Sequence, residues 1–388
     1  TSLPRPLRNL ARGPTFLPPQ THFREHHGMA ADMKDKVVVV TGASSGIGRA
    51  TAHAFAKRGA SLVLAARSDE ALDEVERECA ELGVRAIGVP VDVGSNAEVE
   101  ELAARTVRDF GGFDVWVNNA GVLLVGRLDE APVEDFERVI QTNLLGVAYG
   151  SRVAITHFRK KGRGTVVNVA SIVGGLGQVY SSAYTASKWG VRGFSESLRM
   201  ELRDTPDVHV CTVMPAAIDT PIFQHAANYT GKDLQALSPV YPPEQVAEAI
   251  VGVVDNPKAE VTVGDAGRIM QLSRSILPQS VMAGLGGAVQ EKALLTDRPE
   301  EPNTGNLYEA SGGTSAVTGG WQQRKPSGVT ADTAMRILGL GAVGVGVAYL
   351  VATVARNARG AGQGNGKGHS HSQPHGPRRG DGGGRRRR

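Results

Sequence analysis

Val37-Val38-Val39-Val40-Thr41-Gly42-Ala43-Ser44-Ser45-Gly46-Ile47-Gly48 runs from a β-branched stretch through a glycine-rich turn into a helical pattern, Arg49 to Lys57. Four valines without a polar break predict a strand buried on both faces of a parallel sheet. Glycines at the turn let the backbone approach a pyrophosphate closely, and the helix N-terminus attracts its charge. The alternative is a glycine-rich turn that binds nothing, and the strand before and helix after argue against it. Gly339-Leu340-Gly341-Ala342-Val343-Gly344 shows how little glycine spacing means alone: it sits in an apolar run with no strand leading in and no polar turn around it.

The pattern repeats outward. Strands are expected near 36–41, 61–66, 84–89, 114–117, 165–169, 208–213 and 260–263, alternating with helical segments. That alternation predicts an α/β fold of the Rossmann type, a doubly wound parallel seven-stranded sheet with helices on both faces. Where a ribose-binding acid would end the second strand stands Ala66, followed by Arg67. An arginine there can pair with a 2′-phosphate, which favours NADP(H) over NAD(H). Asp92 closes the third strand and is placed to accept from an adenine amino group.

Tyr184 and Lys188 lie four residues apart in a helical segment, so phenol and ammonium share a face. A nearby cation favours the phenolate and draws its pKa toward the working range. The pair alone means little, since Tyr-x-x-x-Lys is usually a solvated helix face. It gains weight from the nucleotide turn upstream.

Taken together these motifs resemble the short-chain dehydrogenase/reductase family, in its single-domain branch with Tyr-x-x-x-Lys. The resemblance spans about residues 34–265 and holds the glycine turn, Asn118-Asn119-Ala120-Gly121 after the fourth strand, Asn143, Ser171, Tyr184, Lys188 and Met214-Pro215-Ala216-Ala217-Ile218-Asp219-Thr220 in order. It implies a catalytic set of Tyr184, Lys188, Ser171 and Asn143, with Asn143 holding a water that links Lys188 to solvent. It implies cofactor contacts from Gly42, Ser44, Ser45, Gly46, Ile47, Gly48, Arg67, Asp92, Val93, Asn119, Ala120, Gly121, Tyr184, Lys188, Pro215, Ile218 and Thr220. It also implies a homodimer or tetramer and a small-molecule alcohol or carbonyl substrate. Ala216 departs from the family's usual glycine, which puts the local loop geometry in question. The apolar residues expected near the substrate, Val173, Leu176, Val179, Ala216, Ala217 and Ile218, point to a lipophilic molecule. The rival reading is a non-catalytic NADP(H)-binding sensor or scaffold tethered by its C-terminal segment; retention of all four catalytic residues speaks against it.

Composition bounds the rest. The 388 residues carry a net charge of +4, concentrated in a basic tail, and aromatics at 5% offer no stacking platform for specific nucleic-acid binding. Two cysteines, Cys79 and Cys211, make no disulfide or metal framework and suggest a reducing, cytoplasmic setting. Residues 1–33 are Pro- and Arg-rich without an apolar secretory core, read as a disordered arm or, preferably, sequence upstream of a start at Met29 or Met33. The irregular stretch 217–242 has the length of a lid. Residues 266–295 are expected as a helical extension, 296–336 as a linker in which Gly305-Asn306-Leu307-Tyr308 tucks against the surface, and 356–388 as a disordered basic tail. Ile337 to Ala355 lacks charge over 19 residues, which favours membrane contact over a helix packed on the enzyme or a partner subunit.

Overall fold

A computed structural model describes residues 32–265, 287–310 and 315–324. Seven parallel strands form the main sheet: β1 (Val37–Thr41), β2 (Ser61–Ala66), β3 (Ala86–Pro90), β4 (Val115–Asn118), β6 (Gly164–Val169), β7 (Val208–Pro215) and β10 (Glu260–Val263). Their order across the sheet is β10-β7-β6-β4-β1-β2-β3, so the direction of winding reverses between β1 and β4. In open α/β sheets a ligand lies outside the strand C-termini at that reversal, because the loops on either side diverge there. All seven strands fall within two residues of the expected positions.

Successive strand residues face opposite layers. Val38 and Val40 meet α1 (Gly46–Ala56), α2 (Asp69–Glu81) and α7 (Pro243–Asp255) through Phe55, Leu72, Val75 and Ile250. Val39, Trp116 and Val166 meet α3 (Asn96–Phe110), α5 (Gly146–Lys161) and α6 (Ser182–Glu201) through Leu102, Phe158 and Leu198. Burying such side chains contributes about 1.5–3 kcal/mol each before chain entropy is subtracted. Between α4 (Val133–Ile140) and α5 the helix widens into a π-turn, Gln141–Leu145, which contains Asn143.

Small elements complete the rim. β5 (Leu124–Val125) pairs with β8 (Ala227–Asn228), and β9 (Lys232–Leu234) pairs with β11 (Leu295–Pro299), which follows α8 (Gly287–Leu294). The stretch 296–336, expected as a linker with 305–308 tucked against the surface, packs on the domain in its described parts. Leu307 is fully buried among Val122, Leu124, Val139, Ala183 and Ala227, and Trp321 is also buried. Two large apolar side chains in a polar, glycine-rich stretch give that segment enough burial to dock. Residues 1–31, 266–286 and 337–388 lie outside the described residues, and so do the expectations for the arm, the apolar run and the tail. Among the described residues no helix is long and apolar enough to cross a membrane.

Candidate active site

The glycine turn is built by close approach. Gly42 and Gly46 have φ of 65° and 53°, the left-handed region where a side chain is strained. A Cβ on Gly48 would stand 2.0 Å from the Gly42 carbonyl oxygen and 2.7 Å from Asn119 Nδ2. Gly48 therefore lets α1 begin against its own turn. The Asn119 carboxamide donates to the carbonyls of Thr41 and Gly42 at 3.0 and 3.2 Å, and Thr41 Oγ1 accepts from the amides of Asn119 and Ala120. The loops after β1 and β4 are thus one hydrogen-bonded unit at the topological switch.

A cleft of about 560 Å³ runs along this edge. Gly42, Ser44, Ser45, Gly46, Ile47 and Arg67 line one end, with Val93, Asn119, Ala120 and Gly121 midway. Ser171, Tyr184, Lys188, Pro215, Ile218 and Thr220 line the other end. A glycine cradle beside the start of an 11-residue helix suits a dinucleotide's phosphates.

Three expected contacts are not brought to the cleft. Gly48 acts behind the turn, by the close approach described above. The Asp92 carboxylate accepts from Arg138 Nη2 at 2.6 Å and from the Gly94 amide at 2.9 Å, so it organises the loop after β3 rather than lining the cavity. Asn143, fully buried, donates to Val122 O at 2.9 Å and to Ser187 Oγ at 3.2 Å, and accepts from Val122 N at 2.8 Å. Its carboxamide is thus bonded to Ser187 and to the chain just beyond Gly121, on the side of the cleft that carries Lys188. The neighbouring Thr142 Oγ1 is buried with no hydrogen-bond partner, and Thr142 lines the cleft.

At the far end the chemistry is compact. Lys188, 4% exposed, donates to Val169 O at 2.9 Å, and its Nζ lies 5.6 Å from the centre of the Tyr184 ring. Ser171 lies beside the Tyr184 side chain, and its hydroxyl donates to Pro215 O at 3.5 Å and accepts from Val173 N at 3.3 Å. Gly174 makes this proximity possible, since a Cβ there would come within 2.8 Å of Lys188 O. Burial pushes the Tyr184 phenol up to about 12, with Ser171 opposing it, and burial pushes Lys188 down to about 8. The expected lowering of the phenol by the ammonium is outweighed: taking both groups out of water favours the neutral phenol and the neutral amine. Ala216 is accommodated, because Tyr180 is the one non-glycine residue with positive φ among those described.

The substrate side is mostly apolar. Leu123, Val173, Leu176, Ala216, Ala217, Ile222, Phe223 and Leu237 line it, while Val179 packs behind. The stretch 217–242 supplies Ile222, Phe223, His225 and Leu237–Pro239 to the wall. Sequence reasoning missed Gln290, from α8, whose carboxamide accepts from Val179 N at 3.0 Å and lines the cleft. It also missed Asn306, Ala310 and Ser315 at the adenosine end. Trp321, alone in a polar run, was the available signal for those last three.

Comparison with known proteins agrees with this geometry. A family model for short chain dehydrogenase matches residues 36–230. YxnA of Bacillus subtilis (strain 168), an uncharacterized oxidoreductase, is 38% identical over 303 residues, covering 76% of this chain and 84% of its own. The 3beta-hydroxysteroid dehydrogenase 1 of Eggerthella lenta is 35% identical over 243 residues, 60% of this chain and 92% of its own. An alcohol dehydrogenase from the archaeon Thermococcus sibiricus, solved complexed with 5-hydroxy-NADP, superposes with a TM-score of 0.52 at 31% identity, over 59% of this chain and 95% of that one. With its seven-stranded Rossmann sheet and the serine, tyrosine and lysine gathered at one cleft, this chain belongs to the short-chain dehydrogenase family of oxidoreductases.

Proposed function

We propose that the protein interconverts a secondary alcohol and a ketone or aldehyde with NADP(H) as hydride carrier, and that its substrate is lipophilic. The observation that carries this reading is the convergence of Ser171, Tyr184 and Lys188 at one end of a cleft whose other end is a glycine cradle with Arg67. A nicotinamide bound there supplies the hydride. The protein supplies the rest. Tyr184, held as the neutral phenol by burial, gives its proton to the carbonyl oxygen in reduction and as phenolate takes it back in oxidation. Ser171 Oγ donates to the same oxygen as negative charge develops on it. The Lys188 ammonium, buried beside the phenol, stabilises the phenolate when it forms and, with its pKa lowered to about 8, can pass a proton to it and be reprotonated from solvent.

The preference for the 2′-phosphate rests on charge. Arg49 is paired with Glu74 and Glu78, and Arg138 with Asp92. Arg67 is bonded to the carbonyls of Asn306 and Leu307, and no ion pair joins it to a carboxylate among the described residues. A partly buried guanidinium with only neutral partners has N–H groups left for an anion. The test is optical: a panel of apolar ketones and secondary alcohols is scored by the change in NADPH absorbance, then repeated with NADH. Turnover with a higher kcat/KM for NADPH is expected. Tight NADPH binding without turnover across the panel contradicts the catalytic reading, and a preference for NADH contradicts the role of Arg67.

A further inference from the structure

The glycine turn, Arg67 and the loop after β7 are all touched by one part of the chain that lies beyond the main sheet. Asn306 and Leu307 place carbonyls on Arg67 Nη2 and Nη1 at 2.7 and 3.1 Å. Leu307 O also accepts from Arg138 Nε at 2.8 Å, and Tyr308 Oη donates to Asp135 Oδ1 at 2.7 Å. Further along, Ala316 O accepts from the Gly46 amide at 3.1 Å, Ser315 O accepts from Arg49, and Ser315 Oγ bonds Glu74. Then Trp321 closes the run: its indole donates to Thr220 O at 2.9 Å, and its ring meets Phe223 edge-on at 6.0 Å.

The second anchor is a buried charge. Asp219 is 3% exposed, and its carboxylate accepts from the amides of Gly319, Trp321 and Gln322 at 3.1, 2.7 and 3.4 Å. Those donors come from the C-terminal stretch and from nowhere in the catalytic loop. Lifting the stretch would strand a carboxylate without its donors and expose an indole, so the docked state is strongly favoured. The contacts at Arg67 and Gly46 are different in kind. They engage two groups that also line the cleft, and Asn306, Ala310 and Ser315 join them in its wall.

We propose that residues 303–310 and 315–324 act as a strap over the nucleotide: they wall the adenosine end of the cleft, clamp the loop carrying Thr220, Ile222 and Phe223, and make cofactor exchange depend on the strap's release. The inference rests on the nucleotide reading above and adds to it a retention device. The backbone makes the contacts at Arg67 and Gly46, so side chains matter chiefly at the anchors. Gly319 is one such position, since a Cβ there would come within 2.5 Å of Thr220 O. Trp321 is the other, and it stands outside the cleft lining.

The test uses the full chain and NADPH. Displacement of bound NADPH by excess NADP, followed by fluorescence, gives the dissociation rate of wild type and of Trp321→Ala. The variant is expected to release NADPH at least about tenfold faster, since losses of this kind fall on the off-rate. An unchanged rate, or tighter binding in the variant, overturns the strap. Amide hydrogen exchange on the wild type guards against a variant that fails to fold. Exchange at Gly319, Trp321 and Gln322 is expected to slow at least about tenfold when NADPH saturates the site, because ligand and closed strap stabilise one another. Identical exchange with and without NADPH overturns the proposal while leaving the nucleotide reading intact. Failure of the wild type to bind NADPH at all overturns that reading, and the strap with it.

Discussion

The two ends of the cleft are made differently. At the chemical end Ser171, Tyr184 and Lys188 come from the sheet edge and α6, packed on the core, with Lys188 bonded to Val169 O and Gly174 seated on the Lys188 backbone. At the adenosine end the wall is assembled from the glycine turn, the residue after β2 and two stretches from the far C-terminal part of the described chain. The first end relies on burial, which holds the phenol neutral and brings the lysine down to about 8, so that its ammonium persists at neutral pH but gives up its proton more readily. The second relies on charge: Arg49 and Arg138 are neutralised by carboxylates, whereas among the described residues Arg67 is held by carbonyls alone. The difference teaches that proton transfer and nucleotide selection are separable here, so substitutions at one end should leave the other function standing.

The largest effect is expected from Tyr184→Phe, which removes the proton donor: kcat should fall by about 10³–10⁴ while the Kd for NADPH changes little. Loss of NADPH affinity instead would mean that the two ends are not separable. Ser171→Ala should lower kcat by about 10²–10³ through the lost donor to the developing alkoxide, again with NADPH binding kept. At the opposite end, Arg67→Ala should reduce the preference for NADPH over NADH by about 10–100-fold, the value of a charge-assisted contact, with kcat nearly unchanged. Comparison of kcat/KM for the two cofactors checks it.

The smallest effect concerns stability. Lys188 has a folded pKa near 8 against an ordinary value of 10.5. Such a group favours folding above 10.5, where the amine is neutral in both states, and that advantage is lost as pH falls through 8. Lys188→Met removes the buried amine, so at neutral pH the variant should be more stable by about 1 kcal/mol, after allowing for the lost bond to Val169 O. The gap should close as pH rises from 8 toward 10.5. Thermal melts across that range read it, and a gap that widens would contradict burial as the cause.

Much of this was legible in the residues because it rests on local rules. Unbroken valine runs mark strands buried on both faces, and glycine spacing marks the turn whose left-handed φ values only glycine adopts freely. What escaped was decided by contacts between distant residues. Asp92 ends a strand as expected, yet Arg138, forty-six positions on, takes its carboxylate. Asn143 sits in a π-turn whose geometry aims its carboxamide at the Val122 backbone. The stretch around Leu307 and Trp321 has the glycine and proline content of a linker, and only the pockets it fills reveal that it is part of the site.

The most direct test of the central claim is isotopic. NADPH deuterated at both C4 positions is supplied with a ketone that the wild type reduces, in ordinary water, and the alcohol is analysed by mass spectrometry and NMR. The label should appear on the carbinol carbon, delivered as hydride from the cofactor. An alcohol formed without the label, or NADPH that binds in the cleft yet transfers nothing to any carbonyl offered, would contradict the account.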